Sequence, residues 1–267
     1  MRTICCIFVS FALLLPLRAT EGVILLHGLC KTSASMSKLA TALVQAGYYV
    51  ENVDYPSRSA SIAKLSDAAI DRALVDPKMQ SCSRIDFVTH SMGGILVRSY
   101  LRRHDLDKLG RVVMLGPPNQ GSEVVDKLGG WWLFRKLTGP AGSELGTDED
   151  STPNMLGPVD FDLGVIAGDR SINWINSLMI NGKNDGKVSV ERTEVAGMKE
   201  LLVVHVAHPF LMRNKTVIGY TLSFLKYGHF KPSPHNRQAF SGASEPCFFV
   251  PENNQSYTLR RLPCAVI

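Results

Sequence analysis

The stretch Ile85–Tyr100, IDFVTHSMGGILVRSY, constrains the fold of this chain more than any other. An apolar run of strand character, Ile85-Asp86-Phe87-Val88, meets Thr89-His90-Ser91-Met92-Gly93-Gly94 and passes at once into the helical spacing of Ile95, Leu96 and Leu101. A strand that turns into a helix over so few residues projects the turn residue clear of the sheet, and small residues after it let strand and helix approach closely. Ser91 is the residue so presented. A plainer reading stands beside this one: Ser91 as a helix N-cap, with the glycines there for packing.

The rest of the chain repeats the same alternation. Glu21–Leu26 is a continuous apolar run, as expected for a strand buried on both faces of a parallel sheet. After His27-Gly28-Leu29, the residues Met36, Leu39, Ala40, Leu43 and Val44 follow i, i+3, i+4 spacing and end at Gly47. Tyr48–Val53 reads as a second strand, Ile62, Leu65, Ala69 and Ala73 as a second helix, and Arg111–Leu115 as a fourth strand after the one at Ile85. Later strands are expected at Asp162–Ala167 and Leu201–Val206, with a closing helix from about Phe210 to Lys226. The fold class is α/β, with a compact, mostly parallel, doubly wound sheet and helices on both faces. Right-handed crossovers align the loops after the strands along one edge, where such sheets bind ligands.

The 267 residues are 45% hydrophobic and 20% charged, an ordinary globular composition long enough for one large domain, taken as 21–230. The net charge of +5 is scattered rather than blocked, so no nucleic-acid footprint is present. Arg2, the apolar run Ile4–Leu15 and the small residues Ala19 and Thr20 suggest a secretory signal or an uncleaved anchor over 1–20, hence export. Residues 129–158 interrupt the alternation. Their cluster Trp131-Trp132-Leu133-Phe134 reads either as a lid or acyl-facing wall or as a buried helix. Beyond Lys231 periodicity is lost, and 231–267 is expected to be a disordered tail. The cysteines lack zinc-site spacing, and no metal or cofactor is expected; in an exported protein Cys247 and Cys264 could bridge, or remain free thiols.

A serine hydroxyl is a weak nucleophile until a base removes its proton, and that base needs an acceptor to hold its tautomer. His208, just past the last strand and before Pro209, is the favoured base, with His205 in reserve. For the acid, Asp185 in Asn-Asp-Gly and Asp169 after the Asp162 strand have comparable claims by position. The backbone N–H of Met92, at the start of the following helix, is one donor for an oxyanion; the turn at His27-Gly28-Leu29 either supplies the Leu29 N–H as a second or simply ends its strand.

The segments VILLHGLCKTSASM, FVTHSMGGILVRSYL, VVMLGPPNQGSEVVD and NDGKVSVERTE, followed by AHPFLMRN, resemble a bacterial lipase/carboxylesterase of the α/β-hydrolase superfamily over about Gly22–Phe230. The resemblance implies Ser91 as nucleophile, Asp185 as triad acid, His208 as base, and Leu29 and Met92 as the oxyanion hole. It implies a serine hydrolase of small-molecule or lipid carboxylic esters, in contact with a lipid interface. An acyltransferase or thioesterase on the same scaffold, or a non-catalytic binding protein, is the alternative. Thr89 stands where the elbow of that family has Gly or Ala, so close packing there must absorb a branched side chain.

Overall fold

The computed structural model describes residues 20–172, 179–231, 247–252 and 256–260. The export segment at 1–19 and Cys264 of the suggested bridge lie outside the described residues. Six strands run parallel: β1 Glu21–Leu26, β2 Tyr49–Val53, β3 Arg84–His90, β4 Leu109–Leu115, β5 Leu163–Gly168 and β6 Glu200–Val204, in spatial order β2-β1-β3-β4-β5-β6. The order reverses between β1 and β3, which opens a crevice beyond their carboxyl ends. His27-Gly28-Leu29 and Ser91 leave the sheet there.

The helices are α1 Ser37–Gln45, α2 Ile62–Leu74, α3 Pro77–Ser81, α4 Met92–Leu101, α5 Glu123–Leu128, α6 Trp132–Ser143, α7 Thr152–Met155 and α8 Lys215–Tyr227. Alternate residues of each strand serve opposite faces of the sheet. Ile24, Leu26, Phe87, Val112 and Met114 pack with Ile62, Leu65 and Ile70 of α2 and Ile95 and Leu96 of α4. Val23, Leu25, Val88, Val113 and Leu115 pack with Leu39 and Leu43 of α1 and Val217, Tyr220 and Phe224 of α8. Two cores thus clamp the sheet and hold its carboxyl edge rigid.

Two elements differ from the sequence reading. The closing helix starts at Lys215 rather than Phe210, because Asn214 Oδ1 accepts the N–H groups of Thr216 and Val217 at 2.9 and 3.2 Å as an N-cap. Residues His208–Arg213 before it form a tight 3-10 turn opened by Pro209. Within the expected tail, β7 Cys247–Glu252 and β8 Ser256–Arg260 form an antiparallel hairpin, with β7 paired to β6. Phe248-Phe249-Val250 and Tyr257-Thr258 are the aromatic and β-branched residues that suit a pleated sheet. The surrounding Pro, Asn and Gln obscure that pattern in the sequence.

Candidate active site

The chain forces Ser91 into an unfavourable backbone conformation, φ 54° and ψ −125°, between the last residue of β3 and the first of α4. A non-glycine residue there costs about 1–3 kcal/mol and persists only where its surroundings fix it. Ser91 N–H donates to Leu115 O of the neighbouring strand at 2.8 Å, and Ser91 O accepts Gly94 N–H at 2.9 Å. Gly93 lets α4 come close to the end of β1: a Cβ at that position would lie 2.5 Å from Leu26 O and 2.9 Å from His27 O. Gly28 serves the turn opposite, where a Cβ would lie 3.1 Å from Ser91 Cβ and 2.9 Å from His90 Nδ1. Thr89 is absorbed inside the sheet, fully buried, and its hydroxyl makes no hydrogen bond among the described residues. That costs about 1 kcal/mol or more.

His208 and Asp185 come together. His208 Nδ1 lies 2.6 Å from Asp185 Oδ2, and His208 N–H donates to Asp185 O at 3.0 Å. The other carboxylate oxygen, Oδ1, accepts the N–H groups of Lys187 and Val188 at 3.0 and 2.9 Å. The Asp185 carboxylate is buried and oriented on both oxygens, so its hydrogen bond fixes the ring and leaves Nε2 of His208 as the free nitrogen. Ser91 and His208 line one cavity of about 250 Å³. The Ser91 Oγ to His208 hydrogen bond is not made among the described residues; such contacts often tighten only when substrate is bound.

The competing pair settles elsewhere. His205 Nδ1 lies 2.9 Å from Asp169 Oδ1, His205 is well exposed, and neither residue lines the cavity with Ser91. The reserve base and the rival acid therefore satisfy one another at the surface.

Leu29 lines the cavity, and Met92, fully buried, is the first residue of α4. Its N–H belongs to the first helical turn, whose donors lack intrahelical partners and carry the positive end of the helix dipole. The Leu29 N–H is aimed by a residue the sequence reading treated only as part of a turn. His27 is fully buried and stacks on Tyr55 at 4.1 Å between ring centroids. Its Nε2 accepts Tyr55 N–H at 3.3 Å, which leaves Nδ1 as the protonated nitrogen, donating to Gly28 O at 2.9 Å. Lys31 N–H donates to the same carbonyl at 3.2 Å. In a trans peptide N–H and C=O point in opposite directions, so anchoring Gly28 O directs Leu29 N–H the other way. Burial pushes the His27 pKa below its ordinary value, in keeping with this neutral form.

His90 is the second residue whose part was not read from the sequence. It is buried beneath His208, with ring centroids 4.7 Å apart, and its Nε2–H donates to His208 O at 3.1 Å. Burial, and then the neighbouring His208, hold its pKa well below the usual value. It supports His208 as a neutral ring. Position next to Ser91 was the available signal, but which way the ring turns depends on the β6 loop.

The remaining cavity wall comes from the 129–158 region and its neighbours: Val124 and Val125 of α5, Phe134 and Thr138 of α6, and Leu145, with Pro118, Ser122 and Val188. α6 is kinked at Gly139 before Pro140. Its inner side meets the cavity, while Trp131, Trp132 and Leu137 are 54%, 67% and 52% exposed. Among the described residues, no group of three His, Cys, Asp or Glu is arranged to hold a metal, and no helix is long and apolar enough to cross a membrane. Cys30 and Cys82 are free thiols.

Comparison with known proteins agrees with the fold. A model of the palmitoyl protein thioesterase family matches residues 22–150, a span holding Leu29, Ser91 and Met92 but neither Asp185 nor His208. The mature lipase BlEst2 of Bacillus licheniformis superposes with a TM-score of 0.60 at 19% identity, over 80% of this chain and 94% of its own. An esterase of Pyrococcus furiosus superposes with a TM-score of 0.55 at 19% identity, over 78% and 82% of the two chains. Phospholipase PlaB of Legionella pneumophila does so with a TM-score of 0.54 at 22% identity, over 68% of this chain but only 47% of its own length. No curated protein matches the sequence with significance.

Proposed function

We propose that this chain, which has the α/β-hydrolase fold, is a serine hydrolase that cleaves carboxylic esters through an acyl-enzyme. The observation that carries the reading is the 2.6 Å contact of Asp185 with His208, with His208 and Ser91 on one largely apolar cavity. Ser91 Oγ attacks the ester carbonyl carbon while His208 Nε2 takes the hydroxyl proton, and Asp185 stabilises the resulting imidazolium. The tetrahedral oxyanion is held by the N–H groups of Leu29 and Met92; loss of one such donor typically costs about 3 to 4 kcal/mol of barrier. Collapse breaks the bond to the alcohol oxygen, which leaves with the proton from His208. Water then attacks the acyl group by the same route and restores Ser91.

The apolar wall of Leu29, Val124, Val125, Phe134 and Leu145 suits a hydrocarbon acyl chain. On α6, Trp132, Arg135 and Lys136 share the outer side by their i, i+3, i+4 spacing and all three are exposed. Aromatic and cationic residues together suit a lipid interface, which would bring a lipid ester to the cavity that Phe134 and Thr138 line from the inner side. The apolar segment Ile4–Leu15 accords with export or anchoring of the protein. A thioester is the second substrate class, favoured by the match of residues 22–150 to palmitoyl protein thioesterases.

Ser91→Ala tests the reading directly. The folded variant is expected to lose hydrolysis of p-nitrophenyl esters and labelling by a fluorophosphonate probe; a folded variant with full activity would overturn it. The same enzyme assayed on acyl esters and acyl thioesters of equal chain length ranks the two classes.

A further inference from the structure

Two basic residues, Lys31 and Lys187, line the cavity beside Ser91, and among the described residues no Asp or Glu does. They approach from different loops, one after β1 and one in the turn that carries Asp185. Each is mounted on a fixed backbone. Lys31 N–H is held by Gly28 O at 3.2 Å, closing the turn that contains Leu29. Lys187 N–H donates to Asp185 Oδ1 at 3.0 Å, and its carbonyl accepts Ser122 Oγ–H at 2.8 Å. Both residues are exposed, and neither joins an ion pair among the described residues. The acids of α5, the helix that supplies Val124 and Val125, are engaged elsewhere. Glu123 pairs with Arg192 at 2.9 Å, and Asp126 accepts the N–H and hydroxyl of Thr147 at 2.8 and 2.6 Å. The cavity thus joins an apolar wall to two lysines that enter no ion pair among the described residues. An ordinary neutral ester would use the first and leave the second idle.

We propose that Lys31 and Lys187 bind an anionic oxygen group, of the phosphate monoester type, on the alcohol side of the scissile ester. This deepens the reading of Ser91 as an ester-cleaving nucleophile and rests on it. The hydrocarbon of the acyl chain takes the apolar wall, so the charged group belongs to the leaving alcohol. Lysine suits the task because its ammonium is a compact charge on a flexible stem that follows a small anion without fixed bidentate geometry. The charge is in place before the substrate arrives, so its effect falls mainly on kcat/KM.

The test compares 1-acylglycerol 3-phosphate with the neutral 1-acylglycerol of the same chain, in dodecanoyl and butanoyl pairs, at low ionic strength. The phosphate-bearing ester is expected to show about tenfold higher kcat/KM, two solvent-exposed charge pairs each contributing a few-fold. That ratio should fall to about one in K31Q/K187Q, drop below one in K31E/K187E, persist in K31R/K187R, and shrink as salt rises. Equal turnover of phosphate and neutral esters by the parent enzyme, or a ratio that survives charge reversal, would overturn the lysine assignment while leaving the hydrolase reading intact. A preference confined to the dodecanoyl pair would place the effect at a lipid aggregate surface and overturn it too, since the butanoyl esters form no aggregate. Failure to hydrolyse any of these four esters by an enzyme that turns over p-nitrophenyl esters would overturn the lysine assignment, and failure on p-nitrophenyl esters as well would overturn the ester-hydrolase reading itself.

Discussion

Asp185 Oδ2 and His208 Nδ1 stand 2.6 Å apart although 23 residues separate them, and the Asp185 carbonyl also holds the His208 N–H at 3.0 Å. Side chain and backbone of Asp185 fix the same partner. Asp185→Asn presents an amide where the ring must donate, favouring the tautomer that cannot accept the serine proton. It should reduce kcat on p-nitrophenyl esters by on the order of 10²–10⁴-fold with little loss of stability. Asp169→Asn, which touches only the surface His205, should leave kcat essentially unchanged. Equal losses in the two variants would refute the assignment of the acid.

His27 gives a second prediction. It anchors Gly28 O from inside the fold and never meets the substrate cavity. His27→Ala should lower kcat by about tenfold through a loosened Leu29 N–H, with KM nearly unchanged, because the donor matters most once the oxyanion has formed. Parallel changes in kcat and KM would instead indicate general damage to the pocket. Thermal unfolding of the same variant separates a loss of fold from a loss of alignment.

Arg98 is a test of stability rather than chemistry. Its guanidinium is nearly buried, with its pKa lowered to about 10 by burial, and among the described residues it has no carboxylate partner. It donates to Asn119 O at 2.9 Å, Asn119 Oδ1 at 3.2 Å, Pro153 O at 3.0 Å and Gly157 O at 2.6 Å, tying α4 to the loop at Asn119, to α7 and to the loop after it. Arg98→Met should cost about 3 kcal/mol or more in urea unfolding, because several acceptors lose their donor at once. A cost below about 1 kcal/mol would mean that water replaces the guanidinium without penalty.

Stability should fall on mild acidification. The pKa values of His90 and His27 are lower in the folded chain than their ordinary 6.5, in both cases chiefly through burial. The unfolded chain therefore binds protons that the folded chain refuses. The stabilisation is fully present above the unfolded value and is lost as pH falls below it, each histidine contributing a slope of up to about 1.4 kcal/mol per pH unit. Urea unfolding between about pH 8 and pH 5.5 should follow this trend, and His90→Gln should flatten it. A parent protein equally stable at both ends would show that these rings accept protons in place.

The elbow at Ser91, the strand and helix alternation and the edge that gathers the loops were legible in the sequence, because period-two and period-3.6 hydrophobicity and paired glycines are local signals. The family resemblance went further and favoured Asp185 over Asp169, which spacing had left open. What only the tertiary structure decided is how the polar groups pair. His205 joins Asp169 at the surface, His90 supports His208, and His27 turns inward to hold Gly28 O. Each pairing joins separate stretches of chain or depends on a ring's orientation. The packed sheet edge and its loops set them, and no periodicity within a single segment records the outcome.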